Sequence, residues 1–227
     1  MPPVKGRHGT PRAAGSTGSV RHQLAQFAVP AASTELCVAG CAAYRGSVDG
    51  VRSDLAGPVA EVPTGGVRIE PYTGSREDLR SLFQLAEDSP TQLDSYLHAG
   101  RVLVAVLGEE VIGHLQLVDG DRPGVVEIRN MAVREGWQGR GVGARLVRSA
   151  IDLVASQAVS TVLVATASAD VGNLRFYQRQ GFRMCSIERD AFTPATGYPA
   201  GLVIDGIGLR DRVWLDYQVD ASPGLGG

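Results

Sequence analysis

Two rhythms of apolar and polar residues run through the chain from Val67 onward, and each change of rhythm marks a boundary between elements. Val67–Pro71 reads as a short strand. Ser75, with Asp78 three residues on, resembles an acidic form of the capping box that opens helices, and Leu79, Leu82, Phe83 and Ala86 give that helix one apolar face. Asp88, Ser89 and Pro90 are expected to stop it, after which Leu93, Tyr96 and Leu97 predict a second short helix ending at Gly100. Residues 102–107 and 111–117 are apolar runs joined by Gly108, Glu109 and Glu110, a connection short enough to predict an antiparallel hairpin. His114 lies in the second run, where a hydrogen-bonded structural histidine outweighs a catalytic one.

A turn over residues 119–124 leads into a strand, Val125–Val133, followed by the glycine loop and a helix striped by Leu146, Val147, Ile151, Leu153 and Val154 up to about Ser156. The β-branched run 161–166 predicts a buried strand. Residues 171–180 predict a helix closed by Gly181, residues 182–187 a strand, and residues 213–219 a last strand. Between the last two lies a connection, residues 189–212, with four glycines, two prolines and no long regular period. The order β, α, α, β, β, β, α, β, α, β, β is of α/β or α+β class, and no internal repeat interrupts it.

Residues 1–66 differ. They are rich in Gly, Ala, Ser, Pro and Val, with bulky apolar residues only at scattered positions, so they are expected to form a disordered extension, with residues 67–220 as the folded domain and 221–227 as a tail. Residues 38–41 resemble a lipoprotein processing box, but Ser33, Thr34 and Glu35 interrupt the apolar stretch such a signal needs. A net charge of −2 offers no general attraction to nucleic acid or to an acidic membrane, and no apolar run approaches a membrane span. Three cysteines, Cys37, Cys41 and Cys185, without paired spacing, argue against a disulfide framework or a structural metal and fit the cytoplasm. Cys185 is expected in the core rather than as a nucleophile.

The chemistry concentrates in residues 133–146, VREGWQGRGVGARL. Gly139, Gly141 and Gly143 stand between strand and helix, where bare N–H groups and the helix dipole form an anion site. Gly139, Gly141 and Ala144 satisfy the G-x-G-x-x-A fingerprint of dinucleotide folds. That fold requires an acidic residue at the tip of the next strand, and the tip here is Ala165, Thr166, Ala167, Ser168. A nucleotide-hydrolase P-loop fails as well, because Ala144 and Arg145 stand where Lys and Ser or Thr are needed.

The loop, with Gln138, Gly141 and Gly143 in a Q-x-x-G-x-G pattern, resembles the GNAT superfamily of acyl-CoA-dependent N-acetyltransferases. The preceding Asn130, Met131, Ala132 and Val133 resemble that family's fourth strand, and residues 167–183, with Asn173, Tyr177, Gly181 and Phe182 in order, resemble its second signature. The resemblance implies a mixed, mostly antiparallel sheet splayed between strands 4 and 5 and flanked by helices. It also implies acetyl-CoA as cosubstrate, without metal, held by Met131, Ala132, Val133, Gln138, Gly139, Arg140, Gly141, Val142, Gly143 and Asn173. In the same reading Tyr177 is the general acid at sulfur, and Glu127 is the candidate base, weighed against a salt bridge to Arg129. The expected reaction is acetyl transfer to a primary amine by direct attack in a ternary complex. The acceptor is left open between a small amine and a protein N-terminus or lysine, as is a silent acyl-CoA sensor, and a homodimer is compatible with all of these. The two early helices and the 189–212 connection, with Asp190, Tyr198 and Asp205 as acids or polar groups facing an ammonium, are the expected source of specificity.

Overall fold

The structure is a computed structural model that describes residues 66–87 and 89–219, so the expected extension, the processing-box likeness, Cys37, Cys41 and the expected tail lie outside the described residues. Strands β1 (Val67–Pro71), β2 (Arg101–Leu107), β3 (Glu110–Asp119), β4 (Val125–Val133), β5 (Thr161–Ala167), β6 (Arg183–Glu188) and β9 (Arg212–Gln218) form one sheet in the order β1-β2-β3-β4-β5-β9-β6. Every neighbouring pair is antiparallel except β4 and β5. This is the mixed, mostly antiparallel sheet that the resemblance implies. The glycine loop lies in a parallel β4–helix–β5 crossover, the helix being Val142–Ala155, but β2, β3 and β4 before it are antiparallel neighbours and the tip of β5 carries no acidic residue, so the surrounding topology is not that of a dinucleotide fold.

The helices α1 (Arg80–Phe83), α2 (Pro90–Tyr96), α3 (Val142–Ala155) and α4 (Val171–Arg179) divide between the two faces. On one face α3 and α4 cover Leu103, Ala105, Ile112, Leu115, Val126, Ile128, Met131, Val162, Val164, Val213 and Leu215. On the other, α1 and α2 bury Leu79, Leu82, Phe83, Leu93, Tyr96 and Leu97 against Val102, Val104 and Val106. Two start signals act differently from expectation. A 3-10 turn over Arg76–Leu79 precedes α1, and Ser75 Oγ accepts from the N–H of Glu77 while Asp78 faces the Tyr72 hydroxyl, so the acidic capping box does not close. Ser89 and Pro90 open α2 instead of merely stopping α1, because the Ser89 hydroxyl accepts from Gln92 N–H and proline fits the first helical position.

The register of β4 is the feature that positions the site. Gln116 faces Asn130 but Leu117 faces Ile128, so Arg129 is an extra residue, a β-bulge. The bulge reverses the alternation: Val126 and Ile128 point to the α3 face, and so does Met131. Pairing of β4 with β5 stops at the same place, since only Val125–Ile128 meet Thr161–Val164. Beyond the bulge the two strands part, as the resemblance implies.

Asn130 fixes this point. Its side chain, fully buried, accepts from or donates to three other elements: Oδ1 meets His114 Nε2 at 2.8 Å, and Nδ2 donates to the Tyr96 hydroxyl at 2.9 Å and to the Phe83 carbonyl at 3.3 Å. Burial of His114 lowers its pKa to about 3, opposed by the hydrogen bond to Asn130 and reinforced by Arg76, and its ring packs 4.1 Å from that of Phe83. His114 is therefore the structural histidine that the strand pattern suggests. A depressed histidine pKa means that the unfolded chain binds a proton between about pH 6.5 and 3 while the folded chain does not, so stability falls as pH drops through that window. We predict a His114-dependent loss of about 1.4 kcal/mol per pH unit there. Chemical denaturation at several pH values should show this slope in the wild type and a shallower one in His114→Gln; equal slopes would contradict the assignment.

Candidate active site

The site grows from the parting of β4 and β5. Peptide groups along a strand face alternate edges, and the N–H of Arg134 donates to the Ile112 carbonyl on β3 at 2.9 Å. The main-chain groups of Met131 and Val133 therefore face the opposite way, into the gap vacated by β5, while Ala132 faces β3. The Val133 carbonyl is met there by Gln138 Nε2 at 2.9 Å. The glutamine of the signature thus ties the glycine loop back onto the end of β4.

After that tie comes a run of donors. The N–H groups of Gly139, Arg140, Gly141, Val142, Gly143 and Ala144 make no short, well-aligned hydrogen bond to another described residue, only weak contacts within the turn at residues 138–141, and they lead directly into the 14 residues of α3. Gly139 (φ 72°) and Gly141 (φ 80°) are left-handed, and a Cβ at either would meet open space, so backbone conformation and not crowding demands glycine. Gly143 differs: a Cβ there would lie 3.4 Å from Phe176 of α4 and 3.8 Å from Met131 of β4, which places the helix start against both. The guanidinium of Arg140 stacks over Trp137 at 5.1 Å. This concave row of donors at a helix N-terminus suits a pyrophosphate.

On the α3 face, Tyr177 is fully buried, edge-on to Phe176 and Phe182, and its hydroxyl has no hydrogen-bond partner. Burial, and secondarily the charge of Asp170, hold that hydroxyl well above the usual phenol pKa, so it is a proton donor and not a phenolate. The Thr166 hydroxyl is also buried without a partner. Its place in the alternation with Val162 and Val164 puts it on the same face as Tyr177, on the part of β5 that has left β4. Sequence reasoning passed over Thr166; the signal available was a hydroxyl in an otherwise apolar strand tip. Asn173 lies one turn before Tyr177, with its Nδ2 held by Asp170 Oδ2 at 2.8 Å and its N–H by Oδ1 at 2.8 Å, so Asp170 caps α4 and orients the amide.

Glu127 lies on the other face. The bulge separates it from Met131, which answers whether the two side chains share a face: they do not. Its carboxylate accepts from Arg129 Nη1 at 3.1 Å, in a pair whose side chains are 9% and 6% exposed, and Arg129 in turn lies 5.1 Å over the Tyr96 ring. Burial raises the Glu127 pKa, against the pull of Arg129 and, more weakly, Arg212. The salt bridge and a carboxyl primed to take a proton therefore coexist.

Within the 189–212 connection, Asp190 bonds Arg210 Nε at 2.5 Å, Tyr198 is buried edge-on to Phe192, and Asp205 sits with positive φ at the turn between β7 (Val203–Ile204) and β8 (Ile207–Gly208). Asp190 is thus ion-paired and Tyr198 buried, while Asp205 is exposed. The connection has its own small core of Ala191, Phe192, Tyr198 and Leu209 packed on Ala167. Cys185 is half-buried at a bulge in β6, where it packs against the small core of Val125, Leu163, Ala165 and Trp214.

Comparison with known proteins gives the family to which this fold belongs. The Acetyltransferase (GNAT) family matches residues 70–182. An N-acetyltransferase of Bacillus subtilis, YvbK, is 34% identical over 152 residues, covering 66% of this chain and 96% of its own. The chain belongs to the GNAT family of N-acetyltransferases. Among solved structures, an IAA acetyltransferase from Bacillus cereus shares 35% identity at a TM-score of 0.61, covering 67% of this chain and 99% of that one. A Bacillus subtilis acetyltransferase in complex with CoA shares 34% at 0.62, covering 67% and 98%. A GNAT acetyltransferase from Elizabethkingia anophelis with acetyl-CoA bound shares 28% at 0.62, covering 68% and 99%. No described helix is long and apolar enough to cross a membrane.

A buried hydroxyl with no partner costs about 1–3 kcal/mol. Tyr177→Phe removes it without changing the packing of the ring, so we predict that thermal or chemical denaturation finds the variant as stable as the wild type or about 1 kcal/mol more stable. A loss of 2 kcal/mol or more would mean that the hydroxyl is a structural anchor.

Proposed function

We propose that the protein transfers an acetyl group from acetyl-CoA to a primary amine by direct attack in a ternary complex. The observation that carries this reading is the gap between β4 and β5, entered by the main-chain groups of Met131 and Val133 and continued by the donors from Gly139 to Ala144. The residues fit the cosubstrate: the donor row matches a pyrophosphate, the open strand edge matches an amide-bearing arm, and the unpaired Tyr177 hydroxyl offers a proton beside that edge. Relatives solved with CoA and with acetyl-CoA support the same assignment.

In this reading the N–H groups of Gly139, Gly141, Val142 and Gly143 hold the pyrophosphate, and Arg140 leaves its stack on Trp137 to reach a phosphate oxygen. The N–H of Met131 polarises the thioester carbonyl. Ala132 contributes by pairing with β3, which leaves its two neighbours facing the gap, and Gln138 fixes the loop to Val133. Asn173, oriented by Asp170, turns its amide oxygen to the pantetheine arm. Glu127 removes the first ammonium proton, directly or through water, the amine nitrogen bonds to the acyl carbon, the C–S bond breaks as Tyr177 protonates the departing sulfur, and the second proton leaves the nitrogen to restore the Tyr177 hydroxyl, the proton on Glu127 passing to solvent. The rise in the Glu127 pKa that burial causes suits a group that must accept a proton.

Titration calorimetry should show saturable binding of acetyl-CoA and none of NADH, with Gly141→Val weakening it at least tenfold, because a β-branched residue is strained at φ 80°. Tyr177→Phe and Glu127→Gln should each lower kcat by roughly 10²–10⁴-fold while retaining acetyl-CoA binding. As pH falls through the raised Glu127 pKa the base becomes protonated, so the acid limb of kcat/KM should lie above the ordinary carboxylate range and vanish in Glu127→Gln. Folded protein that binds no acetyl-CoA would refute the proposal.

A further inference from the structure

The face of the sheet that carries Glu127 also carries two buried arginines, on either side of a floor made of alanines. Beyond the last paired residues, Ile128 and Val164, the next along each strand are Arg129 and Ala165. Ala165 faces Trp214 and Ala167 faces Arg212 across the β5–β9 ladder. Alternation with Val213 and Leu215, which enter the opposite core, puts Arg212 and Trp214 on the Glu127 side. The guanidinium of Arg129 lies over Tyr96 of α2, and that of Arg212 lies 5.0 Å over Phe192 of the long connection, so each is flattened against an aromatic wall. Arg212 gives Nη1 to Glu188 Oε2 at 2.8 Å, and Trp214 Nε1 donates to the same oxygen. Arg212 is 3% exposed, yet its Nε–H has no partner.

A buried guanidinium donor without an acceptor is costly, and guanidinium binds carboxylate preferentially through paired N–H groups. The charges also constrain what can enter. Glu127 already pairs with Arg129 and Glu188 with Arg212, and Asp216 is a further buried carboxylate on the same face. Once an acceptor's ammonium proton has passed to Glu127, Arg129 loses its ionised partner and can face the acceptor's own carboxylate. An acceptor without a carboxylate would leave Arg129 and the Arg212 Nε–H without an anionic partner at that moment.

We propose that the acceptor is a small amine bearing a carboxylate, of the amino-acid class, with Arg212 as the carboxylate anchor and Arg129 flanking it. This inference rests on the proposed acetyl transfer and narrows its substrate. The products are an N-acetylated amino acid, CoA thiol and one released proton: the ammonium gives its first proton to Glu127, which passes it to solvent, the nitrogen loses its second after it bonds to the acyl carbon, the sulfur takes a proton from Tyr177, and the second amine proton restores the Tyr177 hydroxyl.

The test is thiol release from acetyl-CoA by the full-length protein with a panel of L-amino acids, each beside its decarboxylated amine, together with spermidine and a short peptide with a free N-terminus. At least one amino acid should exceed its decarboxylated partner at least tenfold in kcat/KM. Arg212→Gln should cut that preference to below threefold, mainly through KM, and Arg212→Lys should restore part of it. A merely structural clamp would lower both members of a pair alike. Calorimetric binding of acetyl-CoA checks that each variant is folded, and the wild-type panel decides the matter even if a variant is not. If decarboxylated amines, spermidine or the peptide serve as well, if Arg212→Gln keeps the preference, or if no amino acid is acetylated, the inference is overturned while acetyl-CoA binding leaves the proposed function standing. Failure to bind acetyl-CoA would sink both.

Discussion

The bulge at Arg129 is the constraint on which the rest of this structure depends, and Asn130 is what holds it. One extra residue in β4 ends its pairing with β5, turns Met131 to the face opposite Glu127, and leaves an open strand edge in the middle of a seven-stranded sheet. An open edge inside a sheet is unfavourable unless something fixes it. Here a single buried amide bonds to β3 through His114, to α2 through Tyr96 and to the end of α1 through Phe83. The neutral state of His114, enforced by burial, lets its ring serve as one partner in that network without carrying a buried charge.

The bulge also sorts the chemistry into two compartments. On the α3 and α4 side are groups suited to a cosubstrate: the glycine-loop donors, the two unpaired hydroxyls of Tyr177 and Thr166, and Asn173 held by Asp170. On the α1 and α2 side are charged groups suited to an amine: Glu127, Arg129, Arg212 and Glu188. The gap between β4 and β5 is the one place where the two meet. Buried polar atoms without partners are rare in folded proteins; of the six among the described residues, three belong to Tyr177 of α4, Thr166 of β5 and Arg212 of the neighbouring β9, and the others to Arg76, His114 and Gln116. Local stability is sacrificed where a ligand would supply the missing bonds.

Much of this was legible beforehand. Each strand of the main sheet, and the helices on its faces, follow from periodicity, β1 and β4 to the residue, and the glycine loop with residues 167–183 pointed to the family that the comparisons show. Three things were not legible, for separable reasons. The bulge hides because Val126, Ile128, Met131 and Val133 read as a nearly continuous apolar strand, and only the cross-strand register shows the extra residue. The Arg129 and Arg212 juxtaposition hides because 83 positions separate the two in sequence (212 − 129) and the β4–β5–β9 order brings them to one face. The β7–β8 hairpin was readable but missed: Asp205-Gly206 between Val203-Ile204 and Ile207 is a strong hairpin signal, masked by the glycine-rich surroundings.

The central claim is that the cosubstrate completes the open edge of β4 and the donor row that follows it. Native-state amide hydrogen exchange, with and without acetyl-CoA, tests this most directly, because it reads the individual N–H groups concerned. The account predicts slowed exchange at Met131, Val133 and Gly139 to Ala144, with little change at Ala132, whose N–H already faces β3. Protection that bypassed these amides, or that fell equally on Ala132 and its neighbours, would contradict it.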